Sequence, residues 1–205
     1  MLGVDAPAMA LIVALAAFGV VKYAGRLGVL ACLAATAVYF ALTPLLFLNG
    51  TASAALPQDV GKLSWHIRLD IWRFATSQIL HRPLFGWGLD SSRNWPDQIP
   101  MHPHNASIQL WLETGLVGVA LAALFFAWLF WRIDKVEAVD RDAAGVMAAT
   151  AASYLVIGAI SFGVWQEWWI ALGVFAIGAC VMVTRTRAET GQVRPMSELI
   201  PLELG

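Results

Sequence analysis

Asn105–Trp131 reads NASIQLWLETGLVGVALAALFFAWLFW, a run in which Glu113 is the only charge. About 20 apolar residues in a helix cross the hydrocarbon of a bilayer, so this run is a membrane span with length to spare. Four more uncharged runs flank it: Ala6–Val21, Leu27–Gln58, Ala143–Gln166 and Trp168–Thr184. Composition agrees. Of the 205 residues 59% are hydrophobic and 13% charged, with a mean hydropathy of +0.68. A soluble domain carries about 25% charged residues. Ten Trp and ten Phe exclude a disordered chain. A net charge of −1 supplies no basic field for nucleic acid, which is excluded as a partner. Cys32 and Cys180 lie in apolar runs and define no disulfide framework.

These readings predict an all-α integral membrane protein with about five transmembrane helices, near 6–22, 27–48, 106–131, 143–163 and 167–184. One large extracytoplasmic loop contains an amphipathic helix. The expected organisation is two N-terminal transmembrane helices in 1–48, a periplasmic loop in 49–104 with its helix at 64–81, three transmembrane helices in 105–184 and a cytoplasmic tail in 185–205. Orientation follows the basic residues of short loops. Lys22 and Arg26, then Arg132, Lys135 and Arg141, then Arg185, Arg187 and Arg194 fall on one side, which is therefore cytoplasmic. The turn Trp165–Trp168 has none. The large loop faces the periplasm with Lys62, Arg68, Arg73, Arg82 and Arg93. Ala6–Val21 lacks a basic segment before it and is not read as a cleaved signal.

All four histidines, His66, His81, His102 and His104, fall in the loop. On a helix over 64–81, His66, Asp70, Arg73, Ser77 and His81 line one polar face, and Trp65, Arg68, Trp72, Ala75 and Ile79 the opposite one. Arg73 has a solvated home. Arg68 sits among apolar neighbours, where it either snorkels over Trp65 and Trp72 or meets an anionic ligand. Pro83-Leu-Phe-Gly-Trp-Gly88 follows; Gly86 and Gly88 permit tight backbone, more often a turn than a phosphate cradle.

His102-Pro-His-Asn105 precedes the central span. Asn105 fits a helix N-cap, leaving His104 at the positive end of a long helix. That end favours a neutral imidazole and attracts phosphate. Such a histidine either accepts a proton from a hydroxyl or serves as a structural hydrogen bonder. Glu113 either pairs with an arginine or marks a polar cavity. Asp140-Arg-Asp142 lies in a charged connector and reads as a solvated run rather than a metal motif. His102 and His104 have no third metal ligand at recognisable spacing. The glycosylation-like triplets Asn49-Gly-Thr and Asn105-Ala-Ser read as chance.

His104-Asn105, nine residues and then Gly115-Leu-Val-Gly118 resembles the H-N-x9-G-x-x-G pattern of the O-antigen ligases. Arg68-Leu-Asp-Ile-Trp72, then Pro83–Gly88, then His102–Asn105 keep the order found across the O-antigen ligase and polymerase superfamily. Trp72 departs from the leucine that ligases often carry there. The resemblance implies a metal-independent, cofactor-free, inverting glycosyltransferase of the bacterial inner membrane, working at the periplasmic face. Its donor would be a glycan on undecaprenyl diphosphate. Its acceptor would be a sugar hydroxyl of lipid A–core for a ligase, or of another lipid-linked glycan for a polysaccharide polymerase. A non-catalytic, transport-associated member or an inactive fragment is the alternative from another class. Carried over by position, His104 is the base and Arg68 the diphosphate contact. Arg73, Arg82, Arg93, His102, Asn105 and Glu113 are further substrate-binding candidates, and Gly86, Gly88, Gly115 and Gly118 are structural. The resemblance covers the family's C-terminal half, implying that further N-terminal helices or a companion subunit complete the lipid-facing cavity.

Overall fold

The computed structural model describes residues 5–48 and 63–190. The Asn49 triplet, Lys62 and Arg194 lie outside the described residues. Among the described residues six α-helices follow in order: α1 (Asp5–Ala24), α2 (Arg26–Leu48), α3 (Leu63–His81), α4 (Ala106–Glu137), α5 (Arg141–Ile160) and α6 (Glu167–Glu189). A short 3-10 turn, Ser91–Asn94, lies between α3 and α4. Among the described residues there is no strand. All but α3 are long and apolar enough to span a membrane, and their outward side chains include Leu11, Ile12, Leu15, Leu121, Leu124, Phe175 and Met182. This all-helical membrane architecture is the expected one. Three expected helix ends differ by three residues or more. α4 runs six residues beyond 131, because Arg132, Lys135 and Glu137 prolong it in a polar last turn. α5 stops at Ile160 rather than 163. α6 runs on to Glu189, five residues into the expected tail that begins at 185.

The helices divide between two compact units. The first takes α1, the start of α2, the end of α4, most of α5 and α6. Val21, Val29, Phe130, Ile133, Val136, Ala144 and Ala148 form its core. Small residues on α5 allow this close helix approach. Its charged connectors are paired: Lys22 with Asp142 at 2.9 Å, Arg141 with Glu137 at 3.0 Å and Arg187 with Asp140 at 2.5 Å. Asp140 also accepts the Ala143 amide as a helix cap. Both carboxylates of Asp140-Arg-Asp142 are thus engaged with protein groups.

The second unit takes residues 34–126 and 157–166. Its core joins Phe47, Leu69, Ile71, Trp72, Ala75, Ile79, Ile99, Ile108 and Leu112. The expected faces of α3 are realised in part, since Trp65, Arg68 and Arg73 are all half-buried. Trp72, Ala75 and Ile79 are buried, whereas His66, Asp70, Ser77 and His81 are exposed. Pro44 supplies one unforeseen joint. Having no N–H, it cannot bond the Phe40 carbonyl four residues back. The Trp111 indole donates to that carbonyl at 2.7 Å, and the Ser107 hydroxyl reaches it at 3.4 Å. The proline in α2 thereby fastens the first turns of α4.

Candidate functional site

α4 is two helical segments joined across a break. Gly115 has φ 62° and ψ −159°, which no helix accommodates. A break frees backbone groups that the membrane cannot satisfy, and the 83–88 segment satisfies them. Leu116 N donates to Pro83 O at 2.8 Å and Val117 N to Leu84 O at 3.2 Å. In return Trp87 N donates to Leu112 O and Gly88 N to Glu113 O, both at 2.9 Å. The Gly86 and Gly115 segments are therefore partners in one backbone ladder. Gly86 spends its close approach on α4, whereas a Cβ on Gly88 would meet nothing within 4 Å.

His104 sits beside this frame. Its φ is 55°, a left-handed conformation uncommon for a residue with a side chain. Its amide donates to His102 Nδ1 at 3.2 Å, and the two rings lie 4.0 Å apart. His104 Nδ1 is 2.9 Å from the Ser161 carbonyl oxygen. A carbonyl only accepts, so Nδ1 carries the proton and Nε2 keeps the lone pair of a neutral ring. Burial lowers the His104 pKa, the Ser161 carbonyl opposes this, and the Arg68 cation adds to the lowering. His102 is lowered to about 4, by burial first and then by His104, Arg68 and Arg93. A base at this site is therefore unprotonated at neutral pH.

Asn105 caps α4 through Ile108 N at 3.0 Å, and its side-chain oxygen also accepts the Tyr39 hydroxyl at 3.3 Å. That hydroxyl accepts Ser107 N at 3.1 Å. Protein groups therefore occupy the Ser107 and Ile108 amides at this helix end.

Arg68 and His104 line the same open cavity of about 180 Å³, with Ile67, Ile71, Pro100 and Met101. The Arg68 guanidinium lies 5.2 Å from the Trp65 ring centre, and burial lowers its pKa. Among the described residues no carboxylate pairs with it. The other arginines are differently placed. Arg73 pairs with Asp70 at 3.1 Å and Arg93 with Asp90 at 2.9 Å, while Arg82 stacks over Trp87 at 4.2 Å. Glu113 pairs with no arginine among the described residues. Buried to 1% exposure, it accepts Asp90 N at 3.0 Å, Ser92 Oγ at 2.7 Å, Gln109 Nε2 at 3.1 Å and the Trp165 indole. Its lone pairs are committed to protein donors, away from the cavity.

Three contributors escaped the sequence reading. The Trp72 indole donates to Pro103 O at 2.6 Å. Ser161 contributes only a carbonyl, which no side-chain pattern reveals. Gln109 accepts Val164 N at 2.9 Å; its signal was legible, since it stands one helical turn before Glu113 in an otherwise apolar span.

A family model of O-antigen ligases matches residues 1–123. Three relatives carry the description "Putative polysaccharide ligase". That of Rickettsia conorii is 28% identical over 167 residues, covering 68% of this chain and 40% of the relative. Those of Rickettsia prowazekii and Rickettsia bellii are each 32% identical, over 124 and 126 residues, covering 54% of this chain and 30% of the relative. The chain thus spans 30–40% of the length of these relatives. No solved structure matches it.

Proposed function

The chain belongs to the O-antigen ligase family, and from that premise we propose that it carries the reaction centre of a membrane glycosyltransferase. The donor is a glycan on undecaprenyl diphosphate, and the acceptor is a sugar hydroxyl of lipid A–core. The reaction lies at the periplasmic face of the bacterial inner membrane, with the C-terminus cytoplasmic. The observation that carries this reading is the shared cavity of Arg68 and His104. Its cation has no carboxylate partner among the described residues, and its imidazole has Nδ1 engaged and Nε2 open.

In this scheme the acceptor oxygen attacks the anomeric carbon as its proton passes to His104 Nε2. A C–O bond forms to the acceptor, and the bond from the anomeric carbon to the diphosphate oxygen breaks with inversion. The departing electron pair stays on the diphosphate. The Arg68 guanidinium can meet two of its oxygens at once, as planar paired donors do. The Ser161 carbonyl stabilises the imidazolium. Arg82 and Arg93 can extend the anion contact only by leaving Trp87 and Asp90.

Complementation tests the reading. The full chain, and its His104→Ala and Arg68→Ala variants, are expressed in ligase-deleted and polymerase-deleted strains and the lipopolysaccharide ladder is read. Restored core-linked glycan with the full chain, lost with His104→Ala, is the expected result. Restoration only in the polymerase-deleted strain reassigns the acceptor to a lipid-linked glycan. Equal restoration by His104→Ala overturns the catalytic role.

A further inference from the structure

Glu113 presents a problem that the catalytic scheme leaves open. A carboxyl group deep in a membrane helix is costly, and a buried charge normally meets a cation. Here the donors are two backbone amides, a hydroxyl, a carboxamide and an indole. All are neutral, so the arrangement serves orientation rather than charge neutralisation.

Two of these donors lead to the turn after α5. The Trp165 indole donates to Glu113 directly. Gln109 bridges the rest, donating its amide to Glu113 Oε1 at 3.1 Å and accepting Val164 N at 2.9 Å. Gln109 is 3% exposed, so water does not compete for these bonds. The same turn presents Ser161 O to His104 Nδ1, three residues before Val164. The turn is thus gripped at Val164 and Trp165 by one face of α4, while its first carbonyl holds the imidazole.

We infer that Gln109 and Glu113 are positioning residues for the transfer reaction: they hold the 161–166 turn so that the Ser161 carbonyl fixes the proton on His104 Nδ1 and leaves Nε2 as the base. The inference rests on the reading of His104 as the base, but its physical core, the control of a histidine tautomer by a buried carboxyl on α4, stands apart from activity. Without the grip, the ring is free to place its proton on Nε2, and that form presents a donor where the acceptor hydroxyl needs an acceptor.

The test uses the full chain in lipid nanodiscs with nitrogen-15 labelled histidine. The His104 ring resonances report the tautomer, and transfer from a lipid-linked glycan gives kcat and KM. Trp165→Phe keeps a half-exposed ring and removes one donor. Gln109→Met keeps the volume and removes the bridge. Both are mild enough to retain the fold, which circular dichroism checks; Glu113→Gln is the stronger third variant. The expected result is a rise in the Nε2-protonated form with kcat down about 10- to 100-fold, as small misplacements of a base produce, and KM within about twofold. Unchanged His104 resonances in folded Trp165→Phe and Gln109→Met overturn the inference, even where His104→Ala is inactive. Shifted resonances with full activity in His104→Ala instead overturn the base reading and, with it, the role of Gln109 and Glu113 in transfer, leaving only their control of the His104 tautomer.

Discussion

The indole nitrogen of Trp72 donates to the carbonyl oxygen of Pro103 across 2.6 Å, in buried surroundings. Trp72 lies one helical turn after Arg68 on the same face of α3, and Pro103 immediately precedes His104. The bond therefore ties the helix that carries the guanidinium to the turn that carries the imidazole. The tryptophan that departs from the family's usual leucine thus has a definite task here, since leucine has nothing to donate.

Replacing Trp72 by Phe removes the donor while keeping most of the ring volume. The buried Pro103 carbonyl then lacks a partner, which costs about 1–3 kcal/mol. The expected outcome is a lower unfolding temperature in detergent micelles together with a drop in transfer, because the turn is no longer fastened to α3. Unaltered stability and activity would show that packing alone sets the spacing.

Arg68 and Arg73 offer a ranking. Arg73 is already paired with Asp70 on the polar face of α3, and exposed pairs contribute about 0–1 kcal/mol. Arg68 faces the His104 cavity. Arg68→Ala is expected to lower transfer about 100-fold or more, the scale of a lost charge-stabilising contact, and Arg73→Ala within about threefold. In vitro glycan transfer measured by gel decides the order, and the reverse ranking would defeat the assignment of the diphosphate contact.

The five spans and the α3 faces were legible because each is a local pattern of apolar side chains. Arg68 stood out for the same reason, a charge on the wrong stripe. The role of Gly115 was not legible. Its value depends on carbonyls of Pro83 and Leu84 some thirty residues earlier, and backbone partners leave no mark on side-chain identity. Ser161 was hidden likewise, and the expected extension of α5 to 163 concealed the very carbonyl that holds His104. Glu113 was visible as an anomaly, but its two offered roles both assumed a charged or solvated partner. Neutral donors gathered from three segments were beyond a one-dimensional reading.

Acid should weaken the second unit before carboxylates begin to titrate. His102 is held to about 4, and His104 is also lowered, whereas an unfolded histidine titrates near 6.5. Between these values the unfolded chain binds more protons, so stability falls as pH drops below about 6.5 and the His102 contribution is lost near pH 4. Unfolding temperatures from pH 7 to 5 should decline. His102→Asn keeps an acceptor for the His104 amide without titrating, and should flatten the decline. An identical slope in that variant would remove His102 as the cause.

The ladder between the two glycine segments predicts intolerance at both ends. A Cβ on Gly115 would lie 2.5 Å from the Leu84 carbonyl carbon and oxygen, and one on Gly86 would lie 2.5 Å from the Glu113 carbonyl carbon. Both clashes are with backbone, and yielding would break the hydrogen bonds that satisfy the interrupted helix. Each position also has positive φ, a further cost of about 1 kcal/mol or more for alanine. Gly19, on α1, meets nothing within 4 Å. Gly115→Ala and Gly86→Ala should each lose at least about 3 kcal/mol, within the range of severe single substitutions, and Gly19→Ala should stay within about 1 kcal/mol of the parent. Denaturant unfolding in micelles measures all three. If Gly115→Ala behaves like Gly19→Ala, the helix break at Gly115 is dispensable, and the account of how the 83–88 segment is held against α4 fails with it.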